Sequence, residues 1–120
     1  MENRITILVT LKLIENQLDD LRSTVKDLQA HCLKTENGML QYDWYISDDK
    51  KTIKVFETYV NSEAVLFHFD NYKSFSTQLN ESRTFVSMEI YGNASEALTR
   101  RVSKITPSNY AVIASLNKLK

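Results

Sequence analysis

The sequence predicts an α+β fold of the ferredoxin-like type, with elements in the order β-α-β-β-α-β. First, apolar residues alternate with a period of two over Arg4–Leu13, as in a half-buried strand. Second, the period then changes to three and four, which is typical of an amphipathic helix. Third, a pair of strands, a second helix and a fourth strand follow. This order predicts an antiparallel sheet with its helices on one face.

The first helix is predicted after the strand Arg4–Leu13. Asn16 is the predicted N-cap, and Asp19 and Asp20 lie where the helix dipole favours negative charge. The turn Glu36-Asn37-Gly38 ends the helix. Its apolar stripe consists of Leu18, Leu21, Val25, Leu28 and Cys32.

A hairpin and a second helix are predicted next. Met39–Ser47 and Thr52–Val60 are strand-like runs, and the short polar segment Asp48-Asp49-Lys50-Lys51 between them predicts a solvated turn. The second helix is predicted to start at Asn61-Ser62-Glu63 and to continue to about Leu79, with a break near residue 71.

A fourth strand and a C-terminal appendage complete the predicted domain, which we expect to span residues 1–120. The strand covers Thr84–Tyr91, and Asn93 with Glu96 predicts a capping pair for a short helix through about Ser103. After a Thr-Pro-Ser break, Tyr110–Leu116 predicts a short fifth strand.

The uncovered face of the sheet predicts a homodimer. The second and fourth strands carry apolar residues on both sides, so the face without helices is expected to be apolar and to pack against a second sheet. By alternation, one side of the second strand carries Leu40, Tyr42, Trp44 and Ile46, and the other side carries Met39 and Tyr45. One side of the fourth strand carries Val86, Met88 and Ile90, and the other side carries Phe85 and Tyr91.

The composition excludes several classes of function. Lys+Arg and Asp+Glu both number 15, so no net field attracts nucleic acid or an anionic membrane. Only two glycines are present, which removes most phosphate-binding loops. The first ten residues have no signal-like apolar run, and no stretch of about 18 apolar residues exists to span a bilayer. We expect a cytoplasmic protein without nucleic-acid or membrane partners.

The residues that bind soft or borderline metals are few. They are His31, Cys32 and His68, and the single cysteine excludes an intrachain disulfide. His31 and Cys32 are adjacent, so on a helix they point about 100° apart and do not easily share an ion. The sequence therefore predicts neither a metal site nor a cofactor.

Two titratable residues in apolar surroundings are candidates for acid-base chemistry. His68 lies between Phe67 and Phe69 on the second helix. Its imidazole either acts as an acid, base or hydrogen-bond donor to a ligand, or only makes a hydrogen bond to a carbonyl or water. Glu57 either pairs with Lys54 or Arg83 at the surface or faces a pocket with a raised pKa.

Aromatic residues are dense in the middle of the chain. Tyr42 and Trp44 are candidates to bind a flat, conjugated ligand, because aromatic walls with polar tips suit a phenol or quinone. The alternative is that most of these rings fill the core and the dimer interface.

The segment from Glu36 to His68 resembles the antibiotic-biosynthesis monooxygenase-like family of dimeric α+β barrels. The resemblance rests on E-x-G-x-x-x-Y at Glu36, Gly38 and Tyr42, on E-x-Y at Glu57 and Tyr59, and on the helix start Ser62-Glu63-Ala64 followed by His68. It implies a ferredoxin-like subunit, a dimer joined through its sheets, and a small pocket in each subunit. Some members oxidise polycyclic phenols with oxygen and without metal or flavin.

The resemblance leaves three functions open. The first is a cofactor-independent monooxygenase for a small aromatic or quinonoid compound, with His68, Glu57, Tyr42 and Trp44 in its site. The second is a non-enzymatic dimeric binding or regulatory domain. The third is a haem-binding or haem-degrading protein, which matches poorly, because Asn61 and Ser62 stand where that branch has tryptophan.

Overall fold

The structure, a computed structural model that describes residues 3–116 and 118, contains a five-stranded sheet and helices that pack against it. This α+β order confirms the ferredoxin-like prediction. The elements are β1 (Ile5–Leu13), α1 (Leu18–Thr35), β2 (Met39–Ile46), β3 (Thr52–Tyr59), α2 (Ser62–Asn71), α3 (Ser76–Ser82), β4 (Arg83–Tyr91), α4 (Glu96–Arg101) and β5 (Ser108–Tyr110), with 3₁₀ turns at Lys73–Phe75 and Ser103–Ile105.

The sheet has the order β2-β3-β1-β4-β5, with β1 in the centre. β1 pairs antiparallel with β3 and β4, whereas β5 runs parallel to β4, so the sheet is mixed. Ile5, Ile7 and Leu11 of β1 are at most 3% exposed, because a central strand with a helix-covered face buries every second side chain.

Both main helices form where the apolar periodicity predicts them. Leu21, Val25, Leu28 and Cys32 of α1 are buried. The Oδ1 atom of Asn61 accepts a hydrogen bond from the backbone N–H of Ala64 and caps α2. α2 ends at Asn71, a 3₁₀ turn follows, and α3 continues, which confirms the predicted break.

Two predicted caps are wrong. Asn16 does not cap α1: its φ of 67° places it in the left-handed region, which Asn tolerates, within a turn where Gln17 N–H donates to Ile14 O. Gln17 is the N-cap residue and makes no side-chain cap. At α4 the cap is Ser95, whose Oγ accepts from Leu98 N–H, rather than Asn93.

The fifth strand lies earlier than predicted and is shorter. β5 covers Ser108–Tyr110 instead of Tyr110–Leu116, because these residues pair with Glu89–Tyr91 and the chain beyond Tyr110 has no partner strand among the described residues. The Tyr110 carbonyl accepts from Gly92 N–H and closes this pairing.

Two β-bulges change the predicted faces of β2 and β4. The register shift between Met39 and Gln41 leaves Leu40 unpaired, so that Met39 packs on the core and Leu40 is exposed. In β4, the register shift opposite Thr10 and Leu11 of β1 likewise pairs Phe85 with Leu11 and leaves Val86 exposed. The predicted groupings of Leu40 with Tyr42, of Met39 with Tyr45, of Val86 with Met88 and of Phe85 with Tyr91 are therefore wrong.

The face of the sheet opposite the helices is mixed rather than uniformly apolar, which corrects that expectation. Tyr42, Trp44 and Ile46 pack toward the helices. By the strand register, the open face instead carries Leu8, Tyr45, Phe56 and Tyr91 among Gln41, Asp43, Lys54, Ser87 and Glu89. Within the described residues, no helix is both long and apolar enough to cross a bilayer.

Candidate active site

One cavity between the sheet and the helices α2 and α3 collects all four predicted site residues. It has a volume of about 390 Å³, and Tyr42, Trp44, Glu57 and His68 line it. The register explains three of them: Tyr42 pairs with Glu57 and Trp44 with Val55, so these side chains leave neighbouring strands on the same face. His68 reaches the cavity from α2.

Glu57 is a buried carboxyl rather than a member of a surface ion pair. Its side chain lines the cavity, only 6% of the residue is exposed, and the Tyr59 hydroxyl donates a 2.6 Å hydrogen bond to its Oε1. Lys54 bonds to Thr10 instead. Burial raises the pKa of Glu57 because the charged form is poorly solvated there.

His68 is held by a carboxylate and enclosed by tyrosines. Its Nδ1 lies 2.8 Å from Oε2 of Glu36, and the residue is 2% exposed. The rings of Tyr42, Tyr59 and Tyr72 lie 5.0, 5.8 and 5.2 Å from the imidazole ring, centroid to centroid. Because Glu36 engages Nδ1, Nε2 is the ring nitrogen left for a molecule in the cavity.

Glu36 is a site residue to which sequence reasoning gave no role. It is the C-cap residue of α1, and its buried Oε2 accepts hydrogen bonds from His68 and from Asn71 Nδ2 at 2.9 Å. Burial alone raises the pKa of a carboxyl, but these hydrogen bonds outweigh it, so the pKa of Glu36 is lowered. The only sequence signal for Glu36 was its place in the E-x-G motif.

Gly38 lets this part of the chain pack against α2. A Cβ atom at Gly38 would lie 2.6 Å from the Cβ of Ala64 and 3.2 Å from a methyl group of Val60. Real Cβ atoms do not approach so closely, so glycine and alanine at these positions permit the contact. The contact fixes the start of α2, and hence His68, close to Glu36.

Arg83 supplies to the cavity a cation that forms no ion pair with a carboxylate of the described residues. The other basic residues of the lining, Lys73 and Arg101, both pair with Asp70 at 3.4 and 2.9 Å. Arg83 donates from Nη1 to Asn80 Oδ1, whereas its buried Nε has no hydrogen-bond partner among the described residues. Burial lowers the pKa of its guanidinium.

The surroundings of Glu36 and Glu57 shift the pKa values of these two carboxyl groups in opposite directions. Glu36, with a lowered pKa, is the ionised partner that orients an imidazole. Glu57, with a raised pKa, retains a proton to higher pH. Two carboxyl groups whose pKa values are shifted in opposite directions, next to a histidine and an arginine, supply the groups needed for proton transfer to and from a bound molecule.

Fold and cavity together define a ferredoxin-like α+β protein with a cavity of small-molecule size between its sheet and its helices. A family model described as antibiotic biosynthesis monooxygenase matches residues 4–76, which is more than half of the chain. The chain therefore belongs to this family, as the motifs from Glu36 to His68 predicted.

Solved structures share the fold at low sequence identity. MupZ from Pseudomonas fluorescens is 15% identical with a TM-score of 0.87, over 98% of this chain and 91% of that one. SnoaB from Streptomyces nogalater, a cofactor-independent oxygenase, is 9% identical with a TM-score of 0.66, over 78% and 95%. Rv0793 from Mycobacterium tuberculosis is 20% identical with a TM-score of 0.64, over 78% and 98%. No curated protein sequence matches significantly.

Proposed function

We propose that this protein is a cofactor-independent monooxygenase that oxidises a small aromatic or quinonoid compound with molecular oxygen. The observation that carries the proposal is the geometry of the cavity: His68, held at Nδ1 by Glu36 at 2.8 Å, lines the same cavity as the buried carboxyl of Glu57. Membership of the monooxygenase family and the fold shared with SnoaB support it.

The imidazole of His68 is the proposed base. Glu36 accepts the proton on Nδ1 at 2.8 Å, which leaves the Nε2 lone pair free to take a proton from the substrate. Glu57, whose pKa burial raises, then donates a hydrogen bond or its proton to oxygen as negative charge develops there.

The reaction balances with oxygen as the only co-substrate. His68 removes a proton from a ring CH₂ group conjugated with a phenol, and the electron-rich carbanion gives two electrons to O₂ as a C–O bond forms. The peroxide takes up a proton to become a hydroperoxide. Loss of the second C–H proton then breaks the O–O bond, so that CH₂ plus O₂ gives C=O plus water.

The remaining lining residues suit an aromatic anion. Tyr42 and Trp44 meet edge to face, with ring centroids 6.1 Å apart, and offer a flat ligand two walls of the cavity. Arg83 is positioned to balance the negative charge of a phenolate. A ligand of two or three fused rings fits a volume of about 390 Å³.

Oxygen uptake with a panel of phenols, hydroquinones and fused-ring phenolic ketones tests the proposal. We expect uptake with product formation, and Glu57→Gln should reduce turnover by at least about a hundredfold, as loss of a general acid does. Glu81→Gln, the same change at an exposed helix position, is the matched control.

Two further measurements, ligand-induced thermal stabilisation and titration with haemin, test the alternatives to an oxygenase. Ligand-induced thermal stabilisation without oxygen uptake would instead indicate a binding or regulatory domain. A Soret shift on titration with haemin would indicate a haem protein.

We further propose that two copies of the chain form a homodimer through the open face of the sheet. Leu8 and Phe56 are paired on this face, and the ring of Tyr45 packs 5.6 Å from that of Phe56. Ile113 and Leu116, beyond β5, are 102% and 88% exposed and offer further apolar area. Sedimentation equilibrium of the native chain should give twice the mass of one chain. The Phe56→Lys variant should give the mass of a single chain.

A further inference from the structure

We propose that Cys32, Glu36 and His68 form a buried binding site for one divalent cation of the zinc type, behind the imidazole ring as seen from the cavity. The site lies beyond the proposed oxygenase function, which requires no metal: an ion on Nδ1 would replace the proton that Glu36 accepts there and leave Nε2 protonated, so the metal-bound chain would lack the proposed base. Cys32 and Glu36 do not line the cavity, whereas His68 does, so His68 presents one ring nitrogen to each side.

The three residues come from two helices and converge. Cys32 and Glu36 are four residues apart at the end of α1, which places them on one side of it, and His68 faces them from α2. His31, the neighbour of Cys32, points elsewhere and contacts Asn71 at 3.0 Å. An inventory of histidines and cysteines alone omits Glu36 and therefore misses the site.

The distances suit a tetrahedral ion. One candidate ligand atom from each residue lies within 4.8 Å of the others; Sγ of Cys32 is 3.9 Å and Oε2 of Glu36 is 2.8 Å from Nδ1 of His68. Zinc binds sulfur at about 2.3 Å and nitrogen or oxygen at about 2.0–2.2 Å, which spaces tetrahedral ligands roughly 3.3–3.6 Å apart. The two distances to Nδ1 differ from these spacings by about half an ångström, and a separation of up to 4.8 Å between ligand atoms has to close by about 1 Å to admit the ion.

An independent observation points to a missing ligand. The Oε1 atom of Glu36 is buried and accepts no N–H or O–H hydrogen bond from the described residues, and the Cys32 thiol is the polar group that interacts with this carboxyl besides His68 and Asn71. A buried carboxylate oxygen without a partner is costly, and a cation beside it removes that cost. Asn71, which donates to Oε2, would hold the carboxylate in place, as outer-shell partners of metal ligands do.

The charges also favour a divalent ion. A coordinated thiol loses its proton outright, and thiolate plus carboxylate then neutralise a 2+ charge in this buried place. A sulfur, nitrogen and oxygen set suits zinc or cobalt and is a poor set for magnesium or calcium.

Titration of the chelator-treated full chain with Co²⁺ tests the site. We expect one equivalent to bind, with a near-ultraviolet thiolate-to-cobalt band that one equivalent of Zn²⁺ removes. Cys32→Ser should abolish the band, and Cys32→Ser and His68→Ala should each weaken Zn²⁺ binding by at least about a hundredfold, the upper end of the loss seen for outer-shell changes. His31→Ala, one position away, should retain the band and the stoichiometry.

The outcomes separate this proposal from the oxygenase. Glu57→Gln should lose turnover but keep the cobalt band, because Glu57 is not among the three ligands. A thiolate band that is absent from the native, folded chain, or one that persists at full strength in His68→Ala, would overturn the metal site and leave the proposed function standing. Circular dichroism identifies any variant that fails to fold, and Cys32→Ala then replaces Cys32→Ser.

Discussion

The Tyr59 hydroxyl donates a 2.6 Å hydrogen bond to Oε1 of Glu57, two residues earlier on the same face of β3. Both residues are buried, so each polar group satisfies the other where water does not reach. The bond lowers the pKa of Glu57, but the desolvation that opposes it is larger. Tyr59 thus fixes the position of a carboxyl whose pKa burial raises.

Tyr59→Phe removes the donor and should leave Glu57 Oε1 unsatisfied. We expect a loss of about 1–3 kcal/mol in the free energy of unfolding, measured by urea denaturation, and a further rise of the Glu57 pKa. Tyr45→Phe, at an exposed tyrosine, is the control. Equal stability of the two variants would mean that the bond contributes nothing.

Glu57→Gln should change how stability depends on pH. In the folded protein the pKa of Glu57 lies above its ordinary value of 4.5, so the folded state holds a proton that the unfolded state releases. This contribution is fully present below about pH 4.5 and is lost as the pH rises through the folded pKa. Glu57→Gln should therefore gain stability relative to the native chain over that window, and parallel denaturation profiles would contradict the assignment.

His68→Ala should reduce turnover by at least about a hundredfold, because it removes the proposed base. Glu36→Gln should act through His68: a neutral amide orients the ring less well, so kcat should fall with little change in KM. The double variant should lose little more than His68→Ala alone, as measured by steady-state oxygen uptake. Additive losses would show that Glu36 acts independently of His68.

Gly38→Ala should destabilise the fold through its contact with Ala64. The new methyl group would lie 2.6 Å from the Ala64 Cβ, and overpacking of this kind costs about 1–3 kcal/mol. Adding Ala64→Gly should restore part of the loss despite a helix penalty of about 1 kcal/mol. Ala64→Gly alone gives the reference, and a double variant less stable than the sum of the single changes would exclude this contact as the cause.

Much of the fold follows from local sequence patterns. The alternation over Ile5–Leu13 and the stripe from Leu21 to Cys32 correspond to burial on one face of a strand and of a helix, which a short window reveals. The break after Asn71 and the cap at Asn61 are local too. The caps at Asn16 and Asn93 failed because a residue type suited to capping also suits turns.

Bulges and contacts between distant segments were decided only by the tertiary structure. A bulge at Leu40 or Val86 inserts one residue and moves the neighbouring side chains to the other face, which alternation in one strand cannot reveal because register belongs to a pair.

The candidate site was likewise predictable from the sequence only in part. The sequence by itself predicted the fold class, the family and four residues that line the cavity: Tyr42, Trp44, Glu57 and His68. Only the tertiary structure placed the Glu36 carboxylate and the Cys32 thiol beside His68, and only burial drove the pKa values of Glu36 and Glu57 in opposite directions. Solvation and hydrogen bonding depend on neighbours that are remote in the chain, so the chemistry of these groups appears only when the chain is folded.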